Sequence, residues 1–363
     1  MFQHPVVRAL LLIAALAAGV CGCDETPAKP APRPASRPGA VRRGRVIAAM
    51  GIAPKLIVYG PDAATAERFL AAAAAAIHRV DRMMSTYKPD SEVSRLNRAN
   101  AGAWHAVSTE LAFVLKLSRH LSTESGGRFD VTARPLITLW KNAGRENQLP
   151  TDAEILAATA RVGWQAVELD ELRLRVRFAK DDMSVDLGAV AKGFAVDRAA
   201  AAMKAAGATA GLVEAGGDLL AFGAKPGGAR WRVGIRNPRA LEGRPPVEGE
   251  PAMLNTLAVA DRAVVTSGHY ERFTEIGGKR YSHILDPVTG RPVDQKLASV
   301  TVIAPTCAMA DGLATAVAVM GPIEGMKLIE RLEDTEALLY LDDGPDKPLR
   351  PVRSTRLAAL ETD

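Results

Sequence analysis

The sequence predicts an α+β fold of mixed sheets and packed helices, arranged as two lobes of one compact unit. Helical segments and short strands alternate without a regular βα order, and several strand pairs are separated by hairpin-like turns. This order favours an α+β architecture over a doubly wound parallel sheet. Of the 363 residues, 48% are hydrophobic and 24% are charged, so the chain can bury a substantial core. No linker-like composition interrupts 46–350, which we assign to one domain.

The first residues have the features of an export signal. His4 and Arg8 precede an apolar run over 9–20, which is short for a membrane span and typical of a signal-peptide core. The Gly-Cys pair that follows resembles a bacterial lipobox, so we predict a lipoprotein signal peptide over 1–22 and a lipidated Cys23. A plain secretory signal with incidental cysteines is the alternative. Lipidation implies attachment to the bacterial cell envelope, facing the periplasm from the inner membrane.

Residues 23–45 are dominated by Pro, Ala and Arg, a composition that buries too little apolar surface to fold. They predict a disordered tether, and 351–363 is assigned to a C-terminal tail. After processing, Cys307 is the only free thiol, so no disulfide framework supports the fold. The net charge is +5, but Lys and Arg are scattered beyond a short run near the start, and no nucleic-acid partner is predicted.

Apolar periodicity and turn residues define the elements of the domain. Two short apolar runs around Met50 and Gly51 predict a hairpin, and a short helix is capped at Ser91 or Asp90. Further helices are predicted over 63–81, 109–123, 152–162, 308–320 and 322–331. Strands are predicted over 166–178, 211–222, 231–235, 257–265, 273–276, 282–285, 299–304 and 337–341.

The stretch MSVDLGAVAKGFAVD, at 183–197, has the composition of a ligand-binding turn. A short apolar strand that carries Asp186 is predicted to enter a Gly-Ala turn, followed by an Ala-rich helix to Ala206 with Lys192 in its first turn. Small residues and one cation at a strand-to-helix turn suit a phosphate. The alternative is a tight turn between core elements whose Lys192 is solvated.

Asp311 and Thr315 lie four residues apart and therefore on one face of a predicted helix. Their hard oxygens suit Mg²⁺ or Ca²⁺ better than zinc, and two side chains leave room for waters and phosphate oxygens. A backbone carbonyl near Ala189 could complete the coordination. The alternative is that Asp311 is a helix N-cap and Thr315 a satisfied core hydroxyl.

Three further blocks are richer in polar and aromatic side chains than packing requires. Tyr87, in the loop 83–97, could stack on a flat ligand, and Phe129-Asp130-Val131-Thr132 is the second block. The third block, over 265–293, holds His269, Arg272, Arg280, His283 and Asp286.

Motifs of common enzyme classes are missing from the mature sequence. It contains no G-x-S-x-G, Walker, H-E-x-x-H or C-x-x-C motif, and Gly216-Gly217-Asp218 lacks the Rossmann spacing. Simple hydrolase and dehydrogenase functions are therefore disfavoured.

Seven blocks, taken in order, resemble the ApbE family of flavin transferases over about residues 46 to 342. They are MSTYKPDSEVSRLN, FDVTARPLITLW, DLGAVAKGFAVD, GLVEAGGDLLAFG, VVTSGHYERF, RYSHILDPVTGRPV and SVTVIAPTCAMADGLATAVAVMG. Seven ordered blocks are far more specific than one motif. The resemblance implies an ApbE-like fold, related to the T-fold, and a flavin transferase domain over 46–350.

The resemblance also implies an activity. Such enzymes bind FAD with Mg²⁺, split its pyrophosphate, attach FMN through a phosphoester to a Thr or Ser of a flavoprotein subunit, and release AMP. The implied partner is a subunit of a membrane redox complex. Alternatives are an FAD pyrophosphatase that gives FMN and AMP, or a non-catalytic periplasmic FAD-binding protein.

The family pattern implies a role for individual residues of this chain. The implied FAD contacts are Met50, Tyr87, Phe129, Asp130, Asp186, Lys192 and His283. The implied metal ligands are the Ala189 carbonyl, Asp311 and Thr315. Asp311 is the implied catalytic metal ligand, and His283 is a candidate for helping to deprotonate the incoming hydroxyl. Arg134, Val131 and His269 depart from the family pattern, and the sequence leaves open whether Arg134 reaches a phosphate or the solvent.

Overall fold

The computed structural model describes residues 39–241, 247, 249–268, 273–293 and 296–362. The helices in these ranges are α1 (Ala63–Met84), α2 (Glu92–Leu96), α3 (Thr109–Glu124), α4 (Arg134–Glu146), α5 (Asp152–Thr159), α6 (Ala191–Ala205), α7 (Pro238–Leu241) and α8 (Cys307–Arg331). The predicted signal peptide, Cys23, His269 and Arg272 lie outside the described residues.

The strands in the same ranges are β1 (Val41–Val46), β2 (Lys55–Gly60), β3 (His105–Ala106), β4 (Val167–Asp170), β5 (Arg175–Phe178), β6 (Gly211–Ala215), β7 (Asp218–Phe222), β8 (Trp231–Arg236), β9 (Met253–Val259), β10 (Arg262–Gly268), β11 (Phe273–Ile276), β12 (Lys279–Ser282), β13 (Leu285–Asp286), β14 (Arg291–Pro292), β15 (Leu297–Ala304), β16 (Glu336–Leu341) and β17 (Arg350–Arg353).

An eight-stranded antiparallel sheet is the centre of the fold. Its strands lie in the order β1-β2-β6-β7-β10-β15-β16-β17. The helices α1, α6 and α8 cover one face, and the β8–β9 hairpin covers the other. Alternate residues of β15 therefore face different cores: Val300 and Val302 pack with the helices, whereas Ile303 packs with the hairpin. Antiparallel pairing with packed helices confirms the α+β prediction.

A smaller core lies beside the main one, where α4 and α5 meet the β11–β12 hairpin. Leu136, Trp140 and Ile276 are among its buried residues. The Trp140 indole N–H donates to the Gly290 carbonyl at 2.9 Å, which fixes the turn between β13 and β14 against α4. The predicted strand segments over 166–178 are present as β4 and β5, which form a three-stranded sheet with β3.

The predicted N-terminal hairpin is present, but its first strand begins earlier than expected. β1 starts at Val41 and pairs with β2, and an isolated bridge between Ala49 and Ile52 closes the turn at Met50. The prediction of a disordered tether over 23–45 is therefore wrong for its last five residues. An edge strand needs few apolar side chains, because its ladder is held by backbone hydrogen bonds while its arginines remain in water.

The predicted C-terminal tail over 351–363 is also wrong for most of its length. β17 pairs with β16 and extends the sheet, and the Leu357 side chain is fully buried in the core under the β8–β9 hairpin. A further bridge joins Glu361 to Leu257 of β9. The folded domain thus continues through the last described residues.

The predicted strand at the start of 183–197 is not a sheet strand in the structure. Its backbone is bound by the side chain of Asn97, the C-cap of α2: the Val185 N–H donates to the Asn97 side chain at 2.7 Å, and the Asn97 amide donates back to the Val185 carbonyl at 2.8 Å. The Asp186 N–H donates to the Val131 carbonyl at 2.7 Å. The period-two pattern of the sequence does not distinguish these side-chain partners from a ladder.

The long helix α8 contains the break that the sequence predicts between 308–320 and 322–331. Gly321 has a φ of 83° and interrupts the helix immediately before Pro322. A left-handed backbone at this position favours glycine, and proline cannot continue the preceding hydrogen-bond ladder.

The close approach of α6 and α8 in the core depends on Gly193 of α6. A Cβ atom built at Gly193 would lie 2.3 Å from the carbonyl oxygen of Cys307 and 2.8 Å from the Cα atom of Ala308. Both neighbours are backbone atoms at the start of α8, so a side-chain rotation does not relieve the overlap. α6 and α8 therefore pack backbone against backbone.

We expect Gly193→Ala to lower the free energy of unfolding by about 1–3 kcal/mol, because the added methyl overpacks the crossing of α6 and α8. Gly44→Ala is the control: Gly44 lies on the exposed edge strand β1, where a Cβ meets only ordinary contacts. Denaturant titrations measure both changes. Equal unfolding free energies for the two variants contradict the close approach.

Candidate functional site

The candidate site begins where α6 starts. Lys192 is the second residue of α6, as the sequence predicts, and no side chain caps the helix at Val190. The Gly193 N–H, one of the amides without an intrahelical partner, instead donates to Asp311 Oδ2 of α8 at 3.0 Å. A carboxylate at this position also interacts favourably with the helix dipole.

Lys192 contacts two buried carboxylates. Its Nζ is 2.7 Å from Asp218 Oδ2 and 3.6 Å from Asp311 Oδ1, and the two aspartate side chains are only 1% and 3% exposed. Burial raises the pKa of Asp218 well above its ordinary range, the charge of Asp311 raises it further, and Lys192 lowers it. When both acids are ionised, these three groups carry one net negative charge, which favours a bound cation.

The sequence interpretation did not assign a function to Asp218. The structure places it at the first position of β7, directly after a Gly216-Gly217 turn with φ values of 61° and 92°. The sequence does contain a signal for this site: Asp218 is an acidic residue that follows two glycines and begins an otherwise apolar strand. Its pairing with Lys192 depends on tertiary contact.

Asp311 and Thr315 lie on consecutive turns of α8, as predicted. Thr306 is the N-cap of this helix, so the alternative in which Asp311 is the N-cap is excluded. The Thr315 hydroxyl donates to the Asp311 carbonyl at 3.3 Å, which satisfies its hydrogen and leaves its oxygen lone pairs as acceptors. Both residues thus offer oxygen atoms to a ligand. The hydrogen bond of the Thr315 hydroxyl also agrees with the alternative that Thr315 is a core hydroxyl with its hydrogen-bonding needs met.

The Ala189 carbonyl lies in the turn before α6. Within the described residues no backbone or side-chain group donates to it, because the Gly193 N–H that would normally do so is bound to Asp311. An unpaired carbonyl at the edge of a buried site is available as a ligand oxygen.

The oxygen atoms of this site fit a hard divalent cation. No set of three or more His, Cys, Asp and Glu side chains in the described ranges is arranged to hold a metal ion. A metal here would therefore use carboxylate, hydroxyl and carbonyl oxygens and keep water or phosphate oxygens in its shell. This donor set is typical of Mg²⁺.

A third carboxylate joins the two helices from the opposite side. Asp197 of α6 accepts from the Cys307 N–H at 2.7 Å and from the Ala308 N–H at 2.9 Å, at the start of α8. Burial raises the pKa of Asp197 to about 7, although these two hydrogen bonds act in the opposite direction. The two helices therefore cap each other, with Asp311 serving α6 and Asp197 serving α8.

The loop around Asp130 is fixed by its own carboxylate. Asp130 accepts from the Thr132 N–H at 2.8 Å, from the Thr132 hydroxyl at 2.7 Å and from the Trp164 N–H at 2.9 Å. Burial raises the pKa of Asp130, whereas these hydrogen bonds lower it. The Phe129 side chain is buried in the main core. Direct contacts of these two residues with FAD stay predictions.

Asp186 shapes the turn that leads into α6. Its carboxylate accepts from the Gly188 N–H at 2.8 Å, and its backbone N–H donates to the Val131 carbonyl. The side chain and the backbone of Asp186 therefore both fix the turn. Met50 lies at the tip of the β1–β2 hairpin with a φ of 56° and packs partly against the main core.

Tyr87 and His283 lie at the surface. Tyr87 is 80% exposed, and Lys141 of α4 donates to its hydroxyl at 3.2 Å with the ammonium 5.4 Å from the ring centroid. The ring is open for stacking. His283 is exposed in the segment between β12 and β13. Its role as a base stays a prediction.

A separate cleft of about 500 Å³ contains none of the residues expected to bind FAD or the metal, although Asp286 of the third polar block lines it. Arg128, Asp286 and Glu324 are among the residues that line it, and an ion pair joins Arg128 to Asp286. The chemistry gathered at the start of α6 lies outside this cleft.

Comparisons with known proteins agree with the family resemblance. The model of the ApbE family matches residues 50–339. The chain is 35% identical to an FAD:protein FMN transferase of Klebsiella pneumoniae (strain 342), covering 89% of each chain, and 34% identical to one of Salmonella typhimurium, covering 93% of each.

Solved structures show the same fold. The flavin transferase ApbE from Vibrio cholerae superposes with a TM-score of 0.76 at 30% identity, covering 88% of this chain and 99% of that one. The apo form of the Pseudomonas stutzeri flavinyl transferase ApbE gives a TM-score of 0.77 at 31% identity, covering 88% and 97%. The family match covers most of the chain and includes the whole cluster around Lys192, so this chain belongs to the ApbE family.

Proposed function

We propose that this chain is a Mg²⁺-dependent FAD:protein FMN transferase. The names of its relatives support this activity, and the observation that carries it is the grouping of Lys192 with Asp218 and Asp311 at the start of α6. In the reaction, the hydroxyl of an acceptor Thr or Ser attacks the FMN phosphorus of FAD. A phosphoester bond forms, the pyrophosphate P–O bond breaks, and AMP leaves with the bonding electron pair.

Asp311, Thr315 and the Ala189 carbonyl would hold the metal, with Asp218 close to the same site. When bound, Mg²⁺ supplies positive charge that stabilises the negative charge of the pyrophosphate and of the leaving AMP. Lys192 lowers the pKa of Asp218 and so favours the ionised carboxylate. Its ammonium also gives the site a cation of its own for a phosphate oxygen.

The remaining predicted residues would orient FAD and the acceptor. Tyr87 offers an open aromatic face for stacking, and Asp186 holds the turn in front of α6. His283 is the proposed group that accepts the hydroxyl proton, because the unprotonated nitrogen of a neutral imidazole can act as a general base.

We also propose that the protein is lipid-anchored in the bacterial cell envelope through Cys23 and faces the periplasm. The N-terminal apolar run and the Gly-Cys pair support this location. The acceptor would then be a flavoprotein subunit of a membrane redox complex with an exposed Thr or Ser.

The transfer reaction is tested directly with purified protein, FAD, Mg²⁺ and a flavoprotein subunit that carries an acceptor Thr. We expect flavin fluorescence on the acceptor in a denaturing gel, with one AMP released per flavin attached. Free FMN and AMP with an unlabelled acceptor would instead indicate an FAD pyrophosphatase. Bound but unchanged FAD would indicate a non-catalytic FAD-binding protein.

Asp311→Asn tests the metal site. We expect at least a hundredfold loss of Mg²⁺ affinity, because an anionic hard ligand is removed, while the amide oxygen can still accept the Gly193 N–H. Asp81→Asn is the matched control, since Asp81 is also a buried aspartate paired with a lysine, at 2.6 Å from Lys88. Calorimetric Mg²⁺ titrations measure both variants. Unchanged Mg²⁺ affinity in Asp311→Asn would refute this ligand assignment.

Mg²⁺ affinity is expected to rise with pH. The raised pKa of Asp218 means that a proton competes with the metal on the acidic side, and metal binding releases that proton. Lys192→Met removes a charge that lowers this pKa, so the rise in affinity should move to higher pH. Lys327 forms an exposed ion pair with Glu324, and Lys327→Met should not change the pH at which Mg²⁺ affinity rises. Mg²⁺ titrations at several pH values decide, and an affinity that is independent of pH contradicts the expectation.

A further inference from the structure

Arg134, the first residue of α4, has a buried nitrogen without a partner. Its Nη1 atom is shielded from water and forms no hydrogen bond with the part of the chain that the structure describes. The guanidinium is charged at every physiological pH, and all its nitrogen atoms carry donors. A buried donor of a cation that is left unpaired costs free energy, so this position favours an anionic partner from outside the chain.

A comparison with Arg239 shows why Arg134 is unusual. Arg239 also has one buried unpartnered nitrogen, but its guanidinium contacts Glu250 at 3.4 Å and Asp342 at 2.7 Å. Its charge is therefore compensated inside the protein. Among the described residues, no carboxylate forms an ion pair with Arg134.

The position of Arg134 connects it to the candidate site. Val131, three residues earlier, accepts the Asp186 N–H at 2.7 Å, so the start of α4 lies beside the turn that leads to Lys192. No side chain caps α4 at Ala133, and Pro135 has no N–H. The start of this helix therefore adds positive partial charge next to the guanidinium.

The same face of α4 also leads to Tyr87. Lys141 lies seven residues after Arg134, two turns further along one face and about 10 Å along the helix axis. Its ammonium contacts the Tyr87 hydroxyl at 3.2 Å. This face thus runs from the Asp186 turn, where a phosphate is expected, to an exposed aromatic ring that can stack on a flat group. A dinucleotide carries both a phosphate group and a flat ring that could occupy these two positions.

We infer that Arg134 binds a phosphate oxygen of the FAD pyrophosphate and gives this chain a second cation beside Lys192. The inference rests on the proposed function, because it assigns a residue to the same FAD site. A guanidinium can hold two phosphate oxygens at once, so Arg134 contributes orientation as well as charge. It is a binding residue, and it takes no part in the proton transfer.

Arg134→Ala is tested by measuring the affinities of the metal-free protein for FAD, ADP and riboflavin. We expect at least tenfold weaker binding of FAD and ADP, because both carry the pyrophosphate, and riboflavin affinity within twofold of wild type. Arg134→Lys should recover part of the FAD affinity. Arg145→Ala is the matched control, since Arg145 is an exposed arginine at the other end of α4 that donates to the Asn142 side chain at 3.4 Å.

Thermal unfolding without ligand separates this role from a structural one. If Arg134 awaits a ligand, Arg134→Ala should unfold at the same temperature as wild type or higher, because an uncompensated buried donor has been removed. A lower unfolding temperature, unchanged FAD affinity, or an equal loss of riboflavin affinity would each overturn the inference. Failure of the wild-type protein to bind FAD would instead overturn the proposed function.

Discussion

Two carboxylates on the packed helices α6 and α8 fix the position of each helix relative to the other. Asp311 of α8 accepts an N–H at the start of α6, and Asp197 of α6 accepts two N–H groups at the start of α8. Each helix therefore satisfies the open end of the other. The arrangement requires backbone contact at the crossing, which Gly193 permits. It also determines where Lys192 lies, because that residue precedes Gly193 in the first turn of α6.

The same contact leaves one oxygen of Asp311 for the ligand role that we propose. Asp311 accepts the Gly193 N–H with Oδ2, and its Oδ1 lies 3.6 Å from the Lys192 ammonium, which also contacts Asp218 at 2.7 Å. Burying acids this close together raises the pKa of Asp218, which opposes ionisation. Buried carboxylates with raised pKa values cluster at functional sites. The divalent cation that we propose would offset this repulsion and would give the three charges a common function.

The sequence was most informative where structure depends on local pattern. The helix predicted over 63–81 is α1, and the predicted Lys192 and Asp311–Thr315 positions lie at their expected helical turns. The missed features depend on distant partners. Asp218 contacts Lys192 only in the folded chain. The segment before α6 is bound by the Asn97 side chain and is not paired in a sheet. Composition alone also concealed the arginine-rich edge strand β1, whose backbone ladder needs no apolar side chains.

We propose that Asp311, whose carboxylate caps α6, is also a metal ligand. A crystal structure with Mn²⁺ and ADP, in which anomalous scattering locates the metal, tests it most directly. We expect a Mn²⁺ peak at coordination distance, roughly 2.0–2.6 Å, from an Asp311 oxygen. Thr315 and the Ala189 carbonyl should lie in the same shell, and the Gly193 hydrogen bond should be retained. A metal bound elsewhere, with Asp311 contacting only Gly193 and Lys192, would show that Asp311 is a helix cap and not a metal ligand.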